Sequence, residues 1–269
     1  MGRTRQIAAE RWFFLAEGES AGAPRLAEED ERHALRVLRL GAGDRVAALD
    51  GCGHLRELEL VEVRADRPRW RATGECEFEP EPGAAGAPLP WLEVALSPPK
   101  GSRADELVER LTQLGVASIA FLAAERTQGF ERDKVEARLP RWQRIAREAC
   151  KQSKRLHVPR LEGPMLPLEL RATRPALLEI LLEPAAEIPL ASLAVNAPLG
   201  DRAKPVRLWI GPEGGWTDSE AGALRSAGAK PASLSPHVLR VETAAESAAA
   251  ILLHAGWTAH QSMRSRSET

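Results

Sequence analysis

The sequence lacks any long apolar run. Although 43% of its 269 residues are hydrophobic, no stretch approaches the roughly 20 consecutive apolar residues that a membrane-spanning helix needs. The first segment, MGRTRQIAAERWFF, carries charges and has no apolar run of the kind found in a secretory signal. We therefore expect a cytoplasmic protein with no membrane partner.

Cysteine is scarce and scattered. Cys52, Cys76 and Cys150 lie far apart and show no CxxC spacing, which argues against both a disulfide framework and a zinc site. The histidines likewise have no partners at the spacing of metal ligands. The sequence therefore predicts reduced thiols and no bound metal.

Net charge is also small, because 37 basic side chains face 38 acidic ones and leave −1 at pH 7. This balance, with the ordinary apolar content, excludes global disorder. The balance is not local, however: residues 126–160 contain eleven Lys or Arg and four Asp or Glu, a surplus of seven positive charges. Such a segment is typical of a protein with a phosphate-rich partner, although a helix with a solvated basic face has the same composition.

A stretch rich in Pro, Gly and Ala at 77–90 divides the chain. It has no hydrophobic period and predicts a linker. Within residues 1–76, the segment LRELELVEVRA alternates apolar and polar positions, which predicts a small β-rich domain. In residues 91–269, short apolar strands alternate with helical segments, which predicts an α/β domain with a parallel sheet. Its predicted strands are 92–96, 118–122, 176–182 and 206–210.

Capping signals place the helices of the second domain. Ser102 with Asp105 predicts the start of one helix, and Gly115 predicts its end. Pro140 predicts the start of a second helix. Thr217 and Glu220 stand in the register of a capping box and predict the start of a third.

One glycine-rich loop has the features of a ligand site. The strand at 206–210 runs directly into IGPEGG, residues 210–215, ahead of the capped helix. Glycines let a ligand approach the main chain closely, and ligands of open α/β sheets bind beyond the carboxyl ends of the strands. The loop matches neither the GxGxxG nor the GxxxxGK[ST] pattern, so it predicts neither a dinucleotide site nor a P-loop. A tight strand-to-helix turn is the alternative interpretation.

Two further segments carry groups suited to an anionic partner. In LSPHVLRVETA, Arg240 and Glu242 stand at the start of an alanine-rich helix predicted over 242–260. Arg240 could hold a phosphate or stabilise developing negative charge, while Glu242 could orient Arg240 or favour the amino end of the helix. In REACKQSKR, Gln152 and Arg155 supply amide and guanidinium groups that suit RNA.

Taken together, these motifs resemble the RsmE group of SPOUT RNA methyltransferases. The resemblance rests on the order and spacing of RHALRVLRLGAGDRVAALDGCG, PKGSRADELVERLTQLGV, ERT, RWQRIAREACKQSKR, IGPEGG and LSPHVLRVETA. It covers nearly the whole chain. It implies an amino-terminal PUA-like RNA-binding β-barrel, followed by an α/β SPOUT domain with a parallel sheet whose last segments thread a trefoil knot.

The resemblance implies an activity and partners as well. The family transfers a methyl group from S-adenosylmethionine to N3 of a uridine in 16S ribosomal RNA, uridine 1498 in the customary ribosomal count. The expected partners are that RNA, within the small ribosomal subunit, and a second copy of the chain that covers one face of the 242–260 helix. The alternatives are a knotted methyltransferase that acts on another RNA, such as a tRNA ribose, and a non-catalytic rRNA-binding assembly protein.

The resemblance also assigns site residues. Main-chain groups of two loops would hold the cofactor, and the predicted cofactor-binding set is Leu178, Ile210, Gly211, Pro212, Glu213, Gly214, Gly215, Leu234, Ser235 and Leu239. The predicted RNA-binding set is His33, Arg36, Arg39, Lys100, Arg126, Arg144, Lys151, Gln152 and Arg155. Arg240 and Glu242 form the predicted catalytic pair. Uridine N3 carries a proton at neutral pH, and its removal places negative charge on the ring oxygens that a guanidinium can stabilise.

Overall fold

The chain folds into two units, one built from residues 1–81 with 150–158 and the other from residues 82–149 with 159–269. The computed structural model describes residues 10–16, 24–64, 67–127, 132–195, 197 and 200–267. The sequence pattern predicts that 150–158 belong to the second domain and that 77–90 form a linker. In the structure the last strand of the first unit extends to Phe78, and residues 82–90 belong to the second unit.

The first unit is built on a four-stranded sheet. Its strands are β1 (Trp12–Phe14), β2 (Arg45–Leu49), β3 (His54–Arg64) and β4 (Arg67–Phe78), in that order across the sheet. β1 runs parallel to β2 and the other pairs are antiparallel. A short helix α1 (Glu28–Arg32) continues as a π-helix over His33–Val37. The alternating segment predicted as a strand is confirmed as β3, whose buried positions pack into an apolar core.

Residues 150–158 complete a second apolar core in this unit. Cys150 and Leu156 are buried together with Phe14. The Val158 N–H donates to the Gly51 carbonyl at 3.0 Å. The segment therefore belongs to the first unit because its apolar side chains and its main chain both have their partners there, which local periodicity could not reveal.

The second unit contains a six-stranded sheet in which all strands are parallel, in the order β10-β8-β9-β5-β6-β7. β5, β6 and β9 are buried along their whole length, as expected for central strands covered by helices on both faces. Three of the predicted strands are confirmed at the predicted bounds, and the fourth begins at Leu178. The strands are β5 (Leu92–Leu96), β6 (Ser118–Leu122), β7 (Arg160–Met165), β8 (Leu178–Leu182), β9 (Val206–Ile210) and β10 (Lys230–Ala232).

Six helices connect or follow these strands. They are α2 (Arg103–Leu114), α3 (Arg132–Ser153), α4 (Pro167–Thr173), α5 (Leu190–Ala194), α6 (Asp218–Ser226) and α7 (Val241–Ser267). Within the ranges that the structure describes, no helix is both long and apolar enough to cross a membrane.

Two of the predicted capping signals are confirmed. α2 ends at Gly115, whose φ of 103° is in the left-handed region that favours glycine. At the start of α6, the Thr217 hydroxyl accepts a hydrogen bond from the Glu220 N–H, and the Glu220 carboxylate accepts one from the Thr217 N–H. This capping box is the reciprocal arrangement that the sequence predicts.

Of the two other predicted helix starts, the one at Ser102 is confirmed, because Ser102 is the N-cap residue of α2, and the one at Pro140 is wrong. The Ser102 side chain makes no capping hydrogen bond, since the Asp105 N–H donates to the Ser102 carbonyl at 3.0 Å. The Asp105 carboxylate accepts hydrogen bonds from Trp142 Nε1 at 2.9 Å and from Arg141. Pro140 lies inside α3. The helix begins earlier, at Arg132, so the proline does not mark its start.

Charged residues lie inside the buried strands and pair across them. Arg207 on β9 stands in register with Glu93 on β5 and Glu179 on β8, and its guanidinium contacts both carboxylates. Arg174 contacts Glu93 and also Glu162 on β7, and its hydrogen bond to Glu162 raises the pKa of Arg174. A buried charge is costly when unpaired. These pairs therefore favour one register of the strands.

Candidate active site

A cavity of the second unit lies beyond the carboxyl ends of its central strands. It has a volume of about 890 Å³ and is lined by the ends of β8 and β9, by the loop that follows each, and by the amino-terminal residues of α7. This is the position at which ligands bind in open α/β sheets. The two loops that the sequence analysis singled out, 210–215 and 234–240, both contribute to its wall.

Nine of the ten predicted cofactor-binding residues line this cavity. They are Ile210, Gly211, Pro212, Glu213, Gly214, Gly215, Leu234, Ser235 and Leu239. Leu178 is not among the lining residues. It opens β8, whereas the cavity contacts Leu182 at the other end of the same strand, about 13 Å away at a rise of about 3.3 Å per residue.

The glycine-rich loop turns sharply at the cavity wall. The Gly215 N–H donates to the Pro212 carbonyl at 2.8 Å, and Gly215 has a φ of 70°, which disfavours residues with a β-carbon. A β-carbon added at Gly215 would meet no atom within 4 Å. The space beside this main-chain segment is therefore open, as a close approach by a ligand requires.

Arg240 lines the cavity and is exposed at the amino end of α7. Its carbonyl accepts the Ala244 N–H. The predicted partner Glu242 does not hold it in place: the Glu242 carboxylate instead accepts a hydrogen bond from Arg103 Nη1 at 3.4 Å. Of the two roles that the sequence left open for Glu242, the structure favours the one at the amino end of the helix, because Glu242 lies in the first turn of α7.

Arg103 is a cavity residue that the sequence analysis missed. Its Nη2 lies 2.9 Å from the Glu213 carboxylate in the glycine-rich loop, while its Nη1 reaches Glu242 at the start of α7. The guanidinium thus ties together the two chain segments that form the cavity wall. The sequence does contain a signal for this residue. Arg103 is a cation in the first turn of a helix, where it interacts unfavourably with the helix dipole, so a specific acidic partner is expected for it.

A smaller cavity of about 240 Å³ shares Pro212, Glu213 and Gly214 with the larger one. Its other walls are two buried prolines, Lys100, Arg126 and Thr127, so the structure brings two predicted RNA-binding cations together here. Arg126 donates from Nη1 to the carbonyl oxygens of Gly214 at 3.4 Å and Trp216 at 3.1 Å.

The other predicted RNA-binding residues divide into exposed and internal groups. His33, Arg36 and Arg39 are exposed around the π-helix of the first unit, and Arg144 and Gln152 are exposed on α3. Each remains available to a polyanionic partner.

Lys151 and Arg155 do not fit the predicted RNA-binding role. The Lys151 ammonium lies 2.7 Å from the Asp30 carboxylate, with side-chain exposures of 14% and 8%. The Asp30 carboxylate also accepts the Phe14 N–H at 2.6 Å. Arg155 is partly enclosed, and burial lowers its pKa. Lys151 is therefore held within the first unit by an ion pair and Arg155 is partly enclosed there, which argues against the predicted RNA contacts of both.

The described residues contain no group of three or more His, Cys, Asp or Glu side chains that could hold a metal ion.

One known protein family matches most of the second unit and residues 150–158 of the first unit. A model of the RNA methyltransferase domain matches residues 87–253. A relative from Synechocystis is named ribosomal RNA small subunit methyltransferase E and is 32% identical over 216 residues, which cover 78% of this chain and 65% of that protein. A protein of the same name from Mycobacterium tuberculosis is 30% identical over 241 residues, covering 87% of each chain.

Solved structures agree in fold over nearly the whole chain. A protein described as a methyltransferase from Legionella pneumophila, in complex with the bound cofactor SAM, aligns with a TM-score of 0.77 and 27% identity over 91% of this chain and 97% of that one. The ribosomal RNA small subunit methyltransferase E of Neisseria gonorrhoeae, bound to S-adenosyl methionine, aligns with a TM-score of 0.72 over 95% of this chain and 97% of that one. Its 24% identity supports likeness of fold alone.

Proposed function

Since this chain belongs to the RsmE family of RNA methyltransferases, we propose that it transfers a methyl group from S-adenosylmethionine to N3 of a uridine in 16S ribosomal RNA, uridine 1498 in the customary count. The observation that carries the proposal is the 890 Å³ cavity that the two predicted loops line together at the carboxyl end of the sheet. The related Legionella structure has SAM as its bound cofactor, which supports the same cofactor here.

The residues of the cavity fit S-adenosylmethionine. The volume of the cavity lies within the range of roughly 300–1,000 Å³ that is typical of small-molecule sites. Many of its lining residues belong to the two loops, and the aliphatic side chains of Leu182, Ile210 and Leu239 suit a flat purine. The empty space beside Gly215 leaves room for the ligand to lie against the backbone. We assign cofactor binding to main-chain groups of 210–215 and 234–240.

When bound, S-adenosylmethionine supplies a methyl group on a positively charged sulfur. The chain's own task is to help the uridine nitrogen lose its proton and present its lone pair. Arg240 is suited to this because its guanidinium stays cationic, lines the cavity and is exposed to an incoming base. It would stabilise charge on a uracil oxygen more in the transition state than in the bound substrate.

Arg103 and Glu242 would act as positioning residues. Because Arg103 joins Glu213 to Glu242, it holds the cofactor loop against the start of α7, from which Arg240 extends. This role replaces the direct pairing of Glu242 with Arg240 that the sequence suggested.

RNA would be held by exposed cations of both units. His33, Arg36 and Arg39 of the first unit and Arg144 of α3 are available to phosphates. We further propose that the protein acts in the cytoplasm as a homodimer on RNA within the small ribosomal subunit. The relatives' names, which specify small-subunit ribosomal RNA, favour this substrate over a tRNA ribose.

The test is mass spectrometry of ribosomal RNA from a strain in which the gene is deleted, before and after complementation. We expect one methylated uridine of 16S RNA to disappear on deletion and to return with the gene. A full complement of 16S modifications in the deletion strain would contradict the proposed substrate. Retention of the modification by a complementing Arg240→Ala gene would contradict the catalytic assignment only.

A further inference from the structure

The segment 125–127 is joined by hydrogen bonds to the glycine-rich loop 210–215 and to the elements on either side of it. This segment follows β6 and belongs to the same unit as the loop. Its partners at positions 214, 216 and 220 are between 88 and 95 positions away in the sequence. Each of these bonds therefore fixes the loop through tertiary packing, and each of the three residues makes a separate contribution.

Arg126 binds the turn of the loop. Its Nη1 donates to the Gly214 carbonyl at 3.4 Å and to the Trp216 carbonyl at 3.1 Å, one on each side of Gly215. Since a peptide unit is planar, fixing these carbonyls also fixes the N–H groups of Gly215 and Thr217. A β-carbon added at Gly214 would lie 3.4 Å from the β-carbon of Arg126, so the two residues pack closely. Arg126 therefore holds the turn that borders the larger cavity.

The main chain of Glu125 is bonded to the far end of the loop. Its N–H donates to Oε1 of Glu220 at 2.9 Å, while Oε2 of the same carboxylate accepts the Thr217 N–H at 3.1 Å. That second bond belongs to the capping box of α6. One carboxylate therefore joins the segment 125–127 to the helix that begins shortly after the loop.

Thr127 is linked to the near end of the loop. Its hydroxyl donates to the Ser97 hydroxyl at 3.2 Å, and the Ser97 N–H donates to the Ile210 carbonyl at 3.3 Å. Ser97 is buried directly after β5, and Ile210 ends β9 and opens the loop. The segment 125–127 is therefore attached to the protein before the loop, at its turn and after it.

We infer that residues 125–127 form a brace that keeps the glycine-rich loop in its cofactor-binding shape, with Arg126 as its positioning residue. The inference rests on the proposed function and replaces the predicted RNA contact of Arg126. A segment with glycines at 211, 214 and 215 loses much conformational entropy when it is ordered. Contacts that order the loop before the ligand arrives remove that cost from the binding step. The brace should therefore tighten cofactor binding without contacting the cofactor.

The brace and the RNA contact require different properties of the Arg126 side chain. A phosphate contact depends mainly on charge, which lysine keeps. The brace depends on reach, because the lysine Nζ is closer to the main chain by one bond than the arginine Nη1 that donates to both carbonyls. Arg126→Lys therefore separates the two roles.

The test compares Arg126→Lys and Arg126→Met with Arg138→Lys and Arg138→Met. Arg138 is an exposed arginine of α3 that lines neither cavity and serves as the matched control. Steady-state methyl transfer to unmodified small ribosomal subunits gives kcat and both KM values, and calorimetry gives the Kd for S-adenosylmethionine. We expect both Arg126 variants to raise the KM and the Kd for the cofactor roughly tenfold, with little change in kcat or in the KM for subunits. The Arg138 variants should bind the cofactor like the wild type.

Hydrogen exchange of the cofactor-free protein tests the brace apart from the reaction. Amides of residues 211–217 should exchange faster in Arg126→Lys than in the wild type, while the midpoint of thermal unfolding stays the same. If an Arg126 variant loses thermal stability, Thr127→Val takes its place, because it removes only the hydroxyl that donates to Ser97. Thr127→Val should raise the cofactor KM in the same way, by a smaller factor.

Wild-type cofactor affinity and loop exchange in Arg126→Lys, or in Thr127→Val where it takes its place, would overturn the inference. So would a loss seen only in Arg126→Met and confined to the KM for subunits, with a lower salt slope, which would restore the RNA contact. If the wild-type protein transfers no methyl group, the proposed function fails, and the exchange of the loop amides still decides whether the brace exists.

Discussion

At the scale of single residues, the site depends on a few groups whose partners differ from those that the sequence suggested. Arg240 lines the cavity without the predicted help of Glu242, whose carboxylate accepts from Arg103. The position of Arg240 is therefore determined by its place at the start of α7. The function assigned to Arg240 can consequently be tested separately from that of Glu242.

Replacing Arg240 by Ala should lower kcat by roughly 10²–10³. Affinity for S-adenosylmethionine and for RNA should stay nearly unchanged, because the guanidinium stabilises charge that develops only in the transition state. Arg240→Lys should recover part of the loss, since it keeps the charge without the planar fork of donors. A raised KM with normal kcat would instead identify Arg240 as a phosphate clamp.

Replacing Gly215 by Val should weaken cofactor binding by about tenfold or more. The residue has a φ of 70°, which a β-branched side chain adopts only with strain, and the added atoms would extend into the open space beside the loop. Calorimetry with S-adenosylmethionine measures the effect.

Gly228→Val is the matched control for this change. Gly228 also has a positive φ, of 105°, and open space around it, but it follows α6 outside both cavities. Both variants should lose stability in thermal unfolding, while only Gly215→Val should lose cofactor affinity. Equal cofactor affinity in the two folded variants would contradict the assignment of the loop.

At the scale of secondary-structure elements, the basic helix α3 combines two roles that its composition could not separate. Arg144 is exposed on it, whereas Lys151 near its end is half-buried and paired with Asp30. The positive surplus of 126–160 is therefore not a single RNA-binding face. Part of it neutralises acidic groups within the fold.

Lys151→Met and Arg144→Ala should consequently have different effects. Lys151→Met leaves the Asp30 carboxylate buried without its cation and should cost about 3 kcal/mol of unfolding free energy. Arg144→Ala should leave stability unchanged, weaken RNA binding and reduce the slope of log affinity against log salt by about one. Denaturant unfolding and salt-titrated RNA binding measure the two effects. Normal stability of Lys151→Met, with a reduced salt slope, would restore its RNA-binding assignment.

At the scale of the whole molecule, the chain consists of two units, each built on its own sheet. The expected fold class, a SPOUT α/β domain preceded by a PUA-like domain, is confirmed by the likeness to solved methyltransferases and by the parallel and antiparallel sheets. The expected second copy of the chain remains a prediction.

The proposed homodimer should use the outward face of α7. Thr243, Ser247, His254 and Trp257 are exposed there and fall on one side of the helix. A large aromatic such as Trp257, 44% exposed, is typical of a contact hot spot. We expect the wild-type protein to sediment as a dimer at micromolar concentration and Trp257→Asp to raise the dissociation constant by at least about 30-fold, equivalent to about 2 kcal/mol. A stable, active wild-type monomer would contradict the proposal.

The sequence by itself determined the elements whose signals are local. Apolar runs at 92–96, 118–122 and 206–210 became buried parallel strands, and the Thr217–Glu220 register became a capping box. The glycine-rich loop was identifiable because it directly follows a strand, and parallel topology then places it at the carboxyl edge of the sheet. These features depend on residues within a few positions of one another.

Only the tertiary structure decided which distant side chains meet. Arg103 and Glu242 are 139 positions apart, and Lys151 and Asp30 are 121 apart. Both pairs depend on how whole elements pack, so no local pattern predicts them. The same holds for Leu178, which lies at the wrong end of its strand for the cavity, and for residues 150–158, which fold with the first unit. Periodicity reports which face of an element is buried, whereas the partner of a charge is set by the long-range packing that brings two elements together.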